Sequence, residues 1–163
     1  MAFILFISFI IMLRIGELVL SRRNEIWLLK NGAIEYGRKH YPYIVALHVL
    51  FIVSLMAEYS TKQTASFSLL FFVLYMFFLA FKAWVITSLG KFWNTKIYHI
   101  SDFPLIENGV YKYIKHPNYL IVIAEIAIIP LVFHLYYTAI AFTVLNAIML
   151  SVRIKEENKV LKI

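Results

Sequence analysis

The segment Phe67–Leu89 reads FSLLFFVLYMFFLAFKAWVITSL, with Lys82 near its end as the one charged side chain. A bilayer core about 30 Å thick requires roughly 20 consecutive apolar residues in a helix, and this stretch meets that length. Working outward, four more apolar stretches appear. Met1–Leu13 carries no charge, and its apolar character continues to Leu20 around Arg14 and Glu17. Tyr43–Ala57 follows it, and after the quoted segment come Tyr119–Phe133, with Glu125 inside, and Tyr136–Val152. Several are shorter than a full span, so interfacial Tyr, Trp and Lys must complete the crossing or the helices must be short. The residues around His134 are too few for a loop, which predicts a tight hairpin between the last two segments. The expected architecture is all-α: a polytopic integral membrane protein of about five transmembrane helices ending in a C-terminal helical hairpin.

Composition agrees. Of 163 residues, 62% are hydrophobic and 15% charged, against roughly 45–50% and 25% in soluble domains. The absence of cysteine excludes disulfides and thiolate chemistry. No basic region precedes the first apolar segment and no small-residue cleavage site follows it, so it is expected as a retained helix rather than a secretory signal.

The net charge of +7 does not imply nucleic acid, because the basic residues lie between apolar segments rather than in one patch. Arg22, Arg23, Lys30, Arg38 and Lys39 follow the first segment. Lys91, Lys96, Lys112 and Lys115 follow the third, and Arg153, Lys155, Lys159 and Lys162 follow the fifth. The alternate loops carry Lys62 alone. Basic loops stay in the cytoplasm, so the N-terminus is expected outside, and the C-terminus and active site inside, a bacterial plasma membrane. Arg14 and Lys82 are expected to snorkel from inner helix ends. The stretch Gly90–Lys115 is long for a connector and rich in Tyr, His, Asn and Asp, as functional loops are. Within Ser21–His40, the run Glu25–Lys30 is amphipathic enough to lie in the membrane interface.

Chemistry concentrates in the second half. Gly109-Val110-Tyr111 is followed by Lys115-His116-Pro117-Asn118-Tyr119. Pro117 suits the first turn of a helix, and His116 before it is restricted to an extended conformation. His116 therefore stands at the mouth of the fourth helix, with Tyr119 one turn deeper. At the exit of the fifth lie Arg153, Glu156 and Glu157, with Arg153 and Glu157 on one helix face. Taken alone, each cluster reads as an interfacial belt or a solvated helix end. At the ends of adjacent helices they delimit a pocket holding a His, several Tyr, an Arg and two carboxylates.

This order of motifs over residues 90–161 resembles the isoprenylcysteine carboxyl methyltransferases and their bacterial and archaeal relatives. Two positions depart from the family pattern: Lys115 stands where Arg is usual, and Ile121 where Gly is frequent. The N-terminal run Arg14-Ile15-Gly16-Glu17, Ser21–Glu25, Gly32-Ala33 and His40-Tyr41-Pro42 is similar to a bacterial branch associated with type III polyketide synthases, whose members methylate long-chain alkylpyrones. The resemblance implies a single methyltransferase domain over residues 1–163, with three helices in 1–89 and the cofactor loop, hairpin and C-terminal segment in 90–163. It implies S-adenosylmethionine as cofactor, no metal, and a lipid or other amphiphilic substrate in the bilayer. Phe103, Pro104, Leu105, Ile106, Tyr111, His116, Pro117, Asn118 and Tyr119 would line the cofactor, with Glu156 and Glu157 at its cationic part. Arg153 would face the substrate anion, so Arg153 and Glu157 are the expected catalytic residues. His48 and Glu125 are further substrate-side candidates. For Glu125, inside a membrane helix, a place in the substrate tunnel and a partner such as His48 or Asn146 are both open.

Two other functions compete. A small transporter would use Glu125, His48 and Lys82 as its pathway, although no internal repeat supports duplicated halves. A non-catalytic module holding anionic lipid on its basic face leaves the paired His-Pro and Glu-Glu clusters without a reason. The charge pattern makes a direct prediction for this cysteine-free chain. Single cysteines at positions 39, 96 and 162 should resist an impermeant thiol reagent in intact cells, while one at position 62 reacts; labelling at position 96 from outside would reverse the topology.

Overall fold

The computed structural model describes residues 1–62, 66–101 and 109–161. Five helices cover most of them: α1 (Ala2–Lys30), α2 (Tyr41–Thr61), α3 (Leu69–Leu89), α4 (Pro117–Leu131) and α5 (Tyr136–Leu161). Among the described residues, four helices are long and apolar enough to cross a membrane, and α4, with 15 residues, is shorter. The chain is thus an all-α membrane protein, with one small addition that periodicity did not signal. Ile34–Tyr36 (β1) pairs antiparallel with Ile97–His99 (β2), with Glu35 opposite Tyr98. Three-residue strands carry too little alternation to be read from sequence. Their pairing holds the α1–α2 and α3–α4 connections to one end of the bundle, as the charge pattern requires.

The stretch Glu25–Lys30 differs from expectation. It is not a separate interfacial helix but the last turns of α1, which runs unbroken for 29 residues. At about 43 Å of helical rise it exceeds the bilayer core and projects beyond it. Gly32, at φ +82°, ends it in a left-handed conformation that a side chain would disfavour.

The packed core occupies the hairpin-turn end. Phe3, Phe6, Ile7 and Ile10 of α1 meet Phe51 and Leu55 of α2, Tyr75 of α3, and Ile126, Ile129 and Phe133 around the α4–α5 turn. The Phe3 ring stacks on Tyr59 at 3.7 Å and meets Phe133 edge-on at 5.2 Å. Lipid tails are as apolar as these side chains, so close packing and polar contacts hold the helices rather than hydrophobic transfer. The expected tight hairpin is present: α5 starts five residues after α4 ends, with His134 at φ 56° between them. Its free N–H groups are capped by a carboxylate from another helix, as Tyr137 N and Thr138 N donate to Glu58 at 3.2 and 2.7 Å. Lys62 donates to the His134 carbonyl at the same end.

Beyond this core lies a ring of charge. Arg14 donates to Glu17 and to Glu125 at 2.9 Å each, and Lys82 reaches both Glu125 oxygens at 3.0 and 2.9 Å and also pairs with Glu17. Two cations and two anions thus tie α1, α3 and α4 together. Lys82 is 3% exposed and Glu125 2%, so Lys82 and Arg14 turn inward to carboxylates rather than snorkelling outward. The reason is energetic, since an unpaired carboxylate in hydrocarbon is far costlier than a mutually neutralised set. Glu125 accordingly finds its partners in Arg14 and Lys82, not in His48 or Asn146.

The ring predicts non-additive mutations. Glu125→Leu alone leaves two cations facing one anion and should destabilise the protein in detergent by about 3–5 kcal/mol. Adding Lys82→Met restores neutrality and should recover most of that loss in the same unfolding measurement; simple addition of the two single effects would contradict a coupled ring.

Candidate active site

The opposite end of the hairpin builds the candidate site. His116, at φ −128° and ψ 63°, stays outside the helical region as a residue before proline must, and Pro117 opens α4. Its Nε2 donates to Asn158 Oδ1 at 2.9 Å, and its Nδ1 stands 4.0 Å from Glu157. One turn further in, the buried Tyr119 hydroxyl donates to the Glu157 carboxylate and accepts the Arg153 Nε–H at 3.0 Å. The Arg153 guanidinium also lies 5.5 Å from the centre of the Tyr119 ring, within cation–π range. Four residues apart on α5, Arg153 and Glu157 thus share one phenol on α4.

Arg153 is fixed from a third direction, because its Nη2 donates to the Thr95 carbonyl at 2.6 Å. Thr95 is itself held by α1: Ser21 Oγ accepts from Thr95 N at 3.1 Å and bonds its hydroxyl at 2.8 Å, and Asn24 donates to Trp93 O at 2.7 Å. The Nη1 of Arg153 makes no hydrogen bond among the described residues and is available to an anion.

A cavity of about 380 Å³ runs from this point between the helices. Ile11, Ile15 and Leu18 of α1 face Ile44, Val45, His48 and Val49 of α2 across it. Tyr119, Asn118 and Arg153 stand at its site end, while Arg14, Glu17 and Lys82 give it an ionic wall whose charge Glu125 balances from behind. The lining is otherwise mostly apolar, and several of its α1 and α2 side chains are also exposed on the protein's outer face.

The expected residues fall into distinct places. Tyr119 and Arg153 touch the cavity, whereas His116 and Glu157 lie against them from the other side. Tyr111 follows the close turn at Gly109 (φ +60°), where any side chain would collide with Ser88. Burial pushes the Tyr111 phenol above its ordinary pKa and the negative charge of Glu157 adds to this, so it remains a neutral donor. Glu156 turns away from Glu157 to pair with Lys159 at 2.9 Å, and it lines a small surface pocket with Glu35, Tyr41 and Lys96. His48 lines the cavity, while Glu125 sits behind the ionic wall and is not part of the lining. Phe103, Pro104, Leu105 and Ile106 lie outside the described residues. Sequence reasoning missed Thr95 and Trp93. Thr95 acts through a backbone carbonyl that leaves no side-chain signal, whereas a Trp in a polar loop could have marked the cavity.

Comparison with known proteins gives this arrangement its family. Residues 69–163 match the family model of isoprenylcysteine carboxyl methyltransferases. The chain belongs to this family. It is 43% identical over 162 residues to an uncharacterized protein of Bacillus subtilis (strain 168), YpbQ, covering 98% of this chain and 96% of that one. An uncharacterized protein of Haemophilus influenzae is 32% identical over 152 residues, covering 91% and 88%. No solved structure matches the chain. As a member of the isoprenylcysteine carboxyl methyltransferase family it is a membrane methyltransferase, and the matched region contains α3, α4 and α5 with Arg153, Tyr119 and Glu157.

The shared phenol yields a structural prediction. Tyr119→Phe removes a hydrogen bond to each of two charged groups, so it should lower stability by about 1.5–3 kcal/mol. Tyr113→Phe, at a phenol 79% exposed, should change it by less than about 0.5 kcal/mol. Equal effects in thermal unfolding would remove Tyr119 from the centre of the site.

Proposed function

We propose that this protein is an S-adenosylmethionine-dependent O-methyltransferase that modifies the anionic head, an enol or carboxylate, of a long-tailed lipid of the alkylpyrone type. One observation carries the reading: the Tyr119 hydroxyl joins Arg153, at the end of an apolar cavity, to Glu157 on the far side of the same wall. A cationic guanidinium facing an apolar space suits an amphiphilic anion. Carboxylate and phenol groups beside a helix N-terminus suit a cofactor with a sulfonium, an ammonium, a carboxylate and an aromatic base.

The residues present fit that cofactor. Glu157, Tyr111, His116 and the start of α4 would hold it, with Pro117 and Asn118 shaping the turn and Glu156 at the outer edge. S-adenosylmethionine supplies, when bound, an electrophilic methyl group on its sulfonium. Arg153 Nη1 would hold the acceptor oxygen as an anion, with Nε and Nη2 already committed to Tyr119 and Thr95 so that the guanidinium cannot swing. There the held oxygen would be the acceptor of that methyl group, the sulfur leaving as a neutral thioether. No general base is needed, since the oxygen arrives without its proton. The apolar cavity walls would keep the tail and exclude water from the anion. In this reading α5 ends in the cytoplasm and α1 begins outside the plasma membrane.

Two substitutions separate the roles. Glu157→Ala should weaken S-adenosylmethionine binding by about 1–3 kcal/mol. Arg153→Gln should sharply reduce turnover while weakening that affinity less than Glu157→Ala does, because Arg153 meets Glu157 only through Tyr119. Transfer of labelled methyl to an alkylpyrone, to a farnesylcysteine analogue and to a short water-soluble acid, compared in detergent, tests the substrate class. Equal turnover of the short acid would sink the lipid reading, and preference for farnesylcysteine would move it to the prenylated peptide class.

A further inference from the structure

Two buried polar atoms have no hydrogen-bond partner among the described residues, Trp93 Nε1 and Asn146 Nδ2. Both residues line the cavity, and both are nearly fully buried, at 2% and 3% exposure. A polar group in apolar surroundings is strongly disfavoured without a partner, more so where bilayer replaces water. Most buried groups are therefore satisfied, and these two are exceptions; the Asn146 amide, unbonded at either end among the described residues, can turn over to meet a ligand in the cavity.

Their placement says where that ligand's polar atoms lie. Asn146 precedes Arg153 by seven residues on α5, two helical turns, so both side chains leave the same face. The separation along the axis is about 10 Å. Met149 and Leu150, between them in sequence, also line the cavity. An amphiphile with its anion on Arg153 and its tail along α5 therefore passes Asn146 at roughly eight carbon–carbon steps from the head, each advancing slightly less than a bond length of about 1.5 Å. Trp93 lies two residues before Thr95, whose carbonyl holds Arg153, so its N–H belongs to the head end. The amide of Asn146 presents a donor or, turned over, an acceptor, and so accommodates either a carbonyl or a hydroxyl.

We propose that Asn146 is a specificity-determining subsite, recognising an oxygen function in the substrate's tail about 10 Å from the methylated oxygen. The inference rests on the proposed function in that it takes Arg153 as the anchor of the lipid's anionic head. It adds that this alkylpyrone-type lipid carries an oxygen function on its otherwise alkyl tail. A purely alkyl tail leaves the Asn146 amide buried and unsatisfied, whereas a keto or hydroxyl group satisfies it.

The probes are hexadecanoate and 9-oxohexadecanoate, equal in length and head group. Their binding to the full-length protein and to Asn146→Leu is measured by calorimetry in detergent, with formation of labelled methyl ester followed separately. Differences in micelle partition cancel, because each probe is compared between two proteins. The wild-type protein should favour the oxo acid, relative to the plain acid, about tenfold more than Asn146→Leu does. A ratio near one overturns the subsite. If Asn146→Leu does not fold, the 5-, 9- and 13-oxo isomers on wild-type protein replace it, and equal affinity for all three overturns the proposal. Absence of methyl ester with the tenfold ratio intact counts against the proposed reaction and not the subsite. Ester formation with a ratio of one does the reverse, and no saturable binding of either acid removes both the subsite and its Arg153 anchor.

Discussion

Everything at the working end of the molecule depends on a neutral ring of four charges set in an apolar bundle. Arg14, Glu17, Lys82 and Glu125 come from three helices, and each ion has an opposite partner on another helix. Within a bilayer such a set is directional in a way that apolar contacts are not. Leucine surfaces slide past one another at little cost, but a buried carboxylate must meet its cation. The ring therefore fixes the rotation of α1, α3 and α4 about their own axes. It also marks the boundary between two kinds of interior, with aromatic packing on the turn side and a cavity on the other.

From that boundary the site is assembled by relay. The far end of α1 holds the segment 93–96 through Ser21 and Asn24, and this segment presents the Thr95 carbonyl to Arg153. Lys96 adds a pair to Glu25 at 2.9 Å, and β1 with β2 clamps the neighbouring connection. Arg153 is thus aimed by groups from α1, α4 and the α3–α4 connection at once. A long side chain with many rotamers becomes a fixed feature of the wall because its ordering has been distributed over several weak contacts.

Sequence reading reached the helices and the order of the motifs because both are written in local patterns. Apolar runs declare spans, and Pro117 declares the start of α4. The spacing of Arg153 and Glu157 placed them on one face, and the structure brings both to Tyr119. What the sequence left open was pairing across distance. Nothing local distinguishes a snorkelling Lys82 from one turned inward, since the answer lies with Glu17, 65 residues earlier, and Glu125, 43 later. The amphipathic look of Glu25–Lys30 was real, but it belonged to the projecting end of a long helix. Glu156 and Glu157 are neighbours in sequence that face different surroundings, because successive helical residues point about 100° apart.

The shortness of α4 has a consequence for the depth of the candidate site. Fifteen residues rise about 22 Å, several ångströms less than the hydrocarbon thickness that the neighbouring helices span. With the hairpin turn level with the end of α2 through Lys62 and His134, His116 and Tyr119 fall below the plane where the longer helices leave the membrane. By length alone, α4 therefore begins nearer the depth of lipid glycerol than of bulk water. Under the proposed function, a lipid would keep its tail among its neighbours in the leaflet while its head reached the start of α4.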